Sequence, residues 1–192
     1  SAEGALDHHL LQGLEPRGVP RGLAGTALPF RYNELEELQN LLESNRGNVA
    51  AVVMEPIRYN EPSPGFLEGV KRLANQHNAV LVFDEITTGF RQCVGGIHLK
   101  YGVNPDIAVF AKSISNGYAM AAVVGTSDVM EAAQSTFISS TSWTERIGPT
   151  AALATIKKHI REDVSSHLNH IGTVYQESVS EVANTIGFPL SA

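Results

Sequence analysis

Two continuous apolar runs dominate the pattern of hydrophobic and polar positions. One, Ala79-Val80-Leu81-Val82-Phe83, is closed by Asp84; the other, Ile107-Ala108-Val109-Phe110-Ala111, is closed by Lys112. Their length and β-branched content predict buried strands, and unbroken apolar runs of this kind belong to parallel sheets covered on both faces. Val49 to Met54 predicts a third such strand, ended by Glu55-Pro56. Between them, Gly65 to Asn78 predicts a helix with Phe66, Leu67, Val70 and Leu73 on its apolar face. Upstream, Asn33 and Glu36 have capping-box spacing ahead of Leu35, Leu38, Leu41 and Leu42, which predicts a helix from Asn33. Residues 1 to 32, rich in Gly and Pro, read as mostly loop.

Downstream of Lys112 comes a polar turn, Ser113 to Gly117, and then a short strand, Ala121 to Val124. A parallel crossover takes roughly a dozen residues or more, so this strand is expected to run antiparallel. Ser127 to Ser135 predicts a helix, residues 136 to 148 a loop, and Pro149 onward a long helix broken near Gly172. The alternation of strands and helices predicts an α/β fold: three layers, α/β/α, around a mostly parallel sheet with one antiparallel strand. If the strands ending at Asp84 and Lys112 are parallel, an acid and an amine emerge at one edge of one sheet. That carboxyl edge is where open α/β sheets bind ligands.

Composition narrows the picture modestly. A chain of 192 residues can bury one sizeable core. Its formal net charge of -6 gives no electrostatic grip on nucleic acid or on an anionic membrane. Cys93 is the single cysteine, which fits a reducing compartment and a cytoplasmic chain. No apolar run approaches a membrane span, and Ser1 to Gly4 has no signal-peptide character.

An acid and a lysine facing one pocket can do specific chemistry. Lysine amines form Schiff bases with aldehydes, and a carboxylate keeps a pyridine nitrogen protonated so that the ring can absorb electrons. The spacing alone admits blander readings. An acid ending a strand also serves as the N-cap of a following helix, and a lysine there is commonly a solvated surface residue.

Four segments, taken together, resemble the class III, fold-type I, pyridoxal-phosphate-dependent aminotransferases, in particular their glutamate-1-semialdehyde aminomutase-like branch. They are Val53-Met54-Glu55-Pro56-Ile57, Leu81 through Arg91 with its Asp84-Glu85-Ile86-Thr87-Thr88-Gly89-Phe90 core, Tyr101 through Asp106, and Ala111 through Gly117. The resemblance implies amino-group transfer, as a transaminase or an aminomutase, with pyridoxal 5'-phosphate as cofactor. It makes Lys112 the Schiff-base lysine, Asp84 the partner of the pyridinium nitrogen, Ile86 the aliphatic residue packed on the ring, and Glu55 an acid near the cofactor. Thr144, five residues before Pro149, has the spacing of the threonine that reaches the cofactor phosphate of a neighbouring subunit. Thr141 lies in the same loop. The partners implied are an amino donor, a carbonyl acceptor and a second copy of the chain, as a homodimer. Residues 1 to 148 would then be part of the cofactor-binding large domain, and 149 to 192 a long helix leading toward a small domain.

The family chain is far longer, and this one reads as its middle, a fragment. The family's phosphate-binding loop falls before or at the start of the chain, and its Tyr-His-Gly triplet aligns with Ala2-Glu3-Gly4. The alternative is therefore a catalytically incomplete α/β module with no enzymatic role. A P-loop hydrolase would share the strand and acidic pair ending at Glu85, but Lys112-Ser113 lacks the glycines of that loop. His167 and His170 have helical spacing without an evident third metal ligand. His8, His9, His77, His98 and His159 read as surface or capping residues, Cys93 as structural, and Arg91 as a member of a structural ion pair.

Overall fold

The computed structural model describes residues 14–141 and 143–190. The reading of Ala2-Glu3-Gly4, of His8 and His9, and of the loop before Leu14 lies outside these residues. The chain separates into two compact units, one ending at Val49 and the other beginning at Ala50. In the first, a 3-10 turn at Arg21–Leu23 precedes helix α1, Leu35–Ser44. The N-cap falls one residue later than expected. Asn33 adopts a left-handed conformation (φ 68°), and Glu34 stands at the N-cap without a side-chain capping bond. Glu37 takes over the anchoring: it accepts hydrogen bonds from the Arg31 backbone N–H at 2.9 Å and from Arg31 Nε at 3.0 Å.

The second unit holds a four-stranded sheet in the order β1 (Ala51–Met54), β2 (Val80–Asp84), β3 (Ile107–Phe110), β4 (Ala122–Gly125). The first three strands are parallel and β4 is antiparallel to β3, as the short turn after Lys112 requires. Helix α2, Phe66–Gln76, joins β1 to β2, and a single turn α3, His98–Tyr101, lies between β2 and β3. Asn78 ends α2 in the left-handed conformation. There the Ala79 N–H reaches the Ala74 carbonyl at 2.9 Å, so the chain turns directly into β2 with its last helical carbonyls satisfied. The α2 stripe of Leu67, Val70, Leu73 and Ala74 is fully buried. Each of its larger side chains contributes roughly 1.5–3 kcal/mol of apolar burial.

Strand register separates the two sheet faces. Val52, Leu81, Phe83, Ala108 and Phe110 share one face and are all buried. On the other, Val80, Val82, Asp84, Ile107 and Val109 are half-buried, while Val53 at 62% and Val123 at 53% are exposed. Asp84 therefore projects on the less covered face.

Downstream, α4 is one turn, Ser127–Met130, continued by a 3-10 segment to Ser135, rather than one regular helix. Helix α5, Ile147–Arg161, seats Ala152 against Ala108, Phe110 and Ile114. Helix α6, Val164–Thr185, runs through Gly172 without interruption. The break lies instead at Asp163 (φ 46°), between α5 and α6. Gly172 has open space around its Cα and costs the helix only about 1 kcal/mol.

Asp106, just before β3, ties the amino ends of the strands together. Its Oδ1 is 2.5 Å from Lys71 Nζ of α2, and its Oδ2 accepts the Leu81 N–H at 2.8 Å. Its backbone bonds the Leu81 carbonyl and the Thr126 N–H, each at 2.9 Å. Burial pushes the Asp106 carboxyl up, but the hydrogen bonds from Lys71 and the Leu81 amide outweigh it and hold the group below its usual value. Asp106→Ala is expected to lower unfolding stability by about 1.5–3 kcal/mol, read as a reduced urea midpoint.

Candidate active site

The parallel register carries Glu55, Asp84 and Lys112 to one edge. Met54 pairs with Phe83, so Glu55 and Asp84 are the next residues out on neighbouring strands. Asp84 in turn pairs with Val109, three residues before Lys112. Adjacent strands are about 4.8 Å apart, so this edge gathers the three groups along two strand steps.

Asp84 is half-buried, and its Oδ1 accepts the Ile86 N–H at 2.9 Å. That local bond turns the chain at the strand end and fixes the carboxylate. Its second oxygen takes no hydrogen bond among the described residues, so a ligand N–H can be received there. Lys112 opens a 3-10 turn, Lys112–Ile114, with φ 51°, a left-handed backbone that a non-glycine residue adopts at a cost of about 1–2 kcal/mol. Its side chain is exposed, and Nζ donates to Thr87 Oγ1 at 2.9 Å, three residues beyond Asp84. Glu55 accepts from Arg58 at 3.0 Å through Oε1, while its Oε2 is buried with no partner. Ile86 is half-buried beside Asp84. Thr144 lies apart, exposed in the segment before α5, with no hydrogen bond to this group among the described residues.

The residue that organises the edge is Glu85, whose position in the apolar-to-polar transition hides its role. Alternation along β2 sends it to the covered face, opposite Asp84, where it is fully buried. Its Oε1 accepts the His98 N–H at 3.0 Å and lies 2.7 Å from His98 Nδ1. Its Oε2 accepts the Ile97 N–H at 2.9 Å and the Thr88 hydroxyl at 2.5 Å. Burial raises the carboxyl, but the bonds from His98, Thr88 and Ile97 more than reverse it and hold Glu85 below the usual glutamate value. His98 is thus a buried partner rather than a surface residue.

His159 is also buried, contrary to its reading as a surface or capping group. From α5 its Nε2 lies 2.9 Å from the Phe90 carbonyl, and its ring meets Phe90 edge-on. Arg91 donates through Nε to the Thr87 carbonyl at 2.6 Å, a backbone hydrogen bond in place of the expected ion pair. Cys93 Sγ meets the Gly96 carbonyl at 3.1 Å, and burial raises its thiol. The segment from Glu85 to His98 is therefore pinned at both ends and in its middle. A depression of about 460 Å³ beside it is lined by Phe90, His98, Pro105 and Phe110, among others, but by neither Asp84 nor Lys112.

The family model described as Aminotransferase class-III matches residues 27–187. The chain belongs to the class III aminotransferases. Among curated class III relatives, the 3-aminobutyryl-CoA aminotransferase of Cloacimonas acidaminovorans is 36% identical over 181 residues, covering 91% of this chain and 44% of its own length. The glutamate-1-semialdehyde 2,1-aminomutase of Roseiflexus castenholzii is 45% identical over 118 residues, covering 59% of this chain and 27% of its own. The chain thus spans less than half the length of these relatives. The solved omega-transaminase of Sphaerobacter thermophilus superposes with a TM-score of 0.82 at 24% identity, over 91% of this chain and 42% of its own, and shares the fold. The α/β architecture is thus that of part of a fold-type I large domain.

In the aminotransferase chain Gly96 leaves no room for a methyl group: a Cβ there would lie 2.3 Å from His98 Nδ1 and 2.7 Å from Glu85 Oε1. Gly96→Ala is expected to destabilise the fold by about 1–3 kcal/mol, measured by thermal or urea unfolding. The lowered Glu85 carboxyl also has a pH signature. A carboxyl more acidic folded than unfolded stabilises above its unfolded value, about 4.3 for glutamate, and loses that contribution as pH falls through the folded value. Glu85→Gln is expected to be less stable than wild type at pH 7, by about 1.5–3 kcal/mol, and to show a shallower loss of stability on acidification below pH ~4.5.

Proposed function

We propose that this chain carries the cofactor-holding core of a pyridoxal-phosphate-dependent aminotransferase or aminomutase. The observation that supports the reading most directly is the convergence of Asp84 and Lys112 at one carboxyl edge, with a carboxylate oxygen of Asp84 left without a partner among the described residues. The class III family, whose members use pyridoxal phosphate, supports it independently. The donor set also fits the group chemically: a carboxylate for a protonated ring nitrogen, a primary amine for an aldehyde carbon, and the branched Ile86 for a ring face.

When bound, pyridoxal phosphate supplies a carbonyl for condensation with amines and a ring that takes up the electrons of a carbanion. In this reading Asp84 would keep the ring nitrogen protonated through a charge-assisted hydrogen bond worth about 1.5–3 kcal/mol. Lys112 Nζ would hold the aldehyde carbon, and as a free amine the same nitrogen would accept and return a proton. Ile86 would pack on the ring, and Glu55 adds a carboxylate at the neighbouring strand end. Thr144 would act across an interface, on the phosphate held by the other subunit of a homodimer. Residues 1–148 are assigned to the cofactor-binding large domain and 149–192 to a segment, long-helical in its described part, leading toward a small domain. Substrates are an amino donor and a carbonyl acceptor, the aminomutase using one molecule in both roles.

Borohydride reduction after addition of pyridoxal 5'-phosphate, followed by peptide mass spectrometry, is expected to place the label on Lys112. Labelling spread over surface lysines and unchanged by Lys112→Ala would overturn the assignment. Asp84→Asn is expected to leave thermal unfolding unchanged and to weaken cofactor binding roughly ten- to a hundredfold, measured by equilibrium dialysis.

A further inference from the structure

We infer that Thr87 is the resting partner of the reactive amine, a neutral hydroxyl that places Lys112 Nζ at the Asp84 edge whenever the lysine is not covalently engaged. This rests on the cofactor reading above and adds to it a residue with its own role.

The hydrogen bond from Lys112 Nζ to Thr87 Oγ1, 2.9 Å long, is the only one this amine makes among the described residues, and it spans two separate strand ends. A lysine side chain has four rotatable carbons' worth of freedom, about 2 kcal/mol of rotamer entropy, and an exposed amine without a partner samples all of it. Thr87 restricts that sampling because it is itself held. Arg91 Nε bonds its carbonyl at 2.6 Å, and the next residue, Thr88, is bonded to the buried Glu85. Its β-branched side chain also has few rotamers. On the lysine side, the left-handed backbone at Lys112 (φ 51°) turns the chain as it leaves β3.

The chemical type of the partner matters. A carboxylate at this point would hold the amine as ammonium by charge and oppose its use as a nucleophile. A hydroxyl accepts one N–H without imposing a charge, so the neutral amine can condense with an aldehyde, the nitrogen forming a C=N bond while the carbonyl oxygen leaves as water with the two amine hydrogens; hydrolysis restores the amine. Thr87 therefore acts as a positioning residue on the rate at which the amine is covalently captured, through proximity rather than through affinity for the ring.

The test uses the intact protein with Thr87→Val, which keeps the shape and removes the hydroxyl, and Thr87→Ser, which keeps the hydroxyl. Two probes separate placement from binding. Pyridoxal 5'-phosphate condenses with the amine, and its capture is followed by stopped-flow absorbance. 4'-Deoxypyridoxine 5'-phosphate lacks the aldehyde and reports binding alone. Thr87→Val is expected to slow capture roughly three- to tenfold while leaving the affinity for the deoxy probe unchanged, and Thr87→Ser to restore the wild-type rate. Capture by Thr87→Val at the wild-type rate overturns the inference. So does an equal loss with both probes that Thr87→Ser fails to rescue, which marks a purely structural role. Binding of neither probe by the wild-type protein overturns the cofactor reading itself, and this inference with it.

Discussion

Burial of the Glu85 carboxylate is the constraint around which the functional edge is arranged. An ion removed from water is tolerable only if its oxygens are fully hydrogen-bonded. Glu85 meets that demand by drawing in the amides of Ile97 and His98, the His98 ring and the Thr88 hydroxyl. Satisfying one charge therefore folds an irregular stretch of chain back against the sheet. Asp84 and Thr87, on either side of Glu85, inherit their positions from that folding. The acid that shapes the edge faces away from it, and Asp84 faces the open side.

Helix α5 reinforces this arrangement from a distance in sequence. His159 reaches the Phe90 carbonyl, and Phe90 packs on Phe110 with ring centroids 5.6 Å apart. Gly89 allows the approach: a Cβ there would lie 2.7 Å from the Phe110 ring. Phe90 itself takes the left-handed backbone (φ 56°), a strained conformation held by the contacts around it.

What was legible in the sequence follows from the physics of each signal. The three parallel strands and the antiparallel fourth were legible because unbroken apolar runs mark sheet strands, although only one face is fully buried among the described residues, and because the turn after Lys112 is too short to cross over. The Asp84 and Lys112 edge followed from strand direction. Glu85, His98 and His159 were not seen because burial of a polar residue is decided by tertiary partners, here, Thr88 aside, twelve or more residues away. Alternation did hold the clue for Glu85, since a residue two beyond the buried Phe83 shares its face. The capping-box spacing at Asn33 located the helix start to within a residue, but Asn33 takes a left-handed backbone and the N-cap falls on Glu34. Gly172 suggested a helix break, yet a glycine only weakens a helix, and the true interruption at Asp163 bears no glycine or proline.

The Lys71–Asp106 pair sits at the opposite end of the sheet from Lys112. Strand β3 between them is four residues long, about 13 Å at ordinary rise, which exceeds the screening distance of about 8 Å at physiological ionic strength. The charge that braces the architecture is thus electrically insulated from the charge that would do chemistry. A lineage built on this layout is free to vary the surroundings of Lys112 without loosening the anchor, and to harden the anchor for heat without disturbing Lys112.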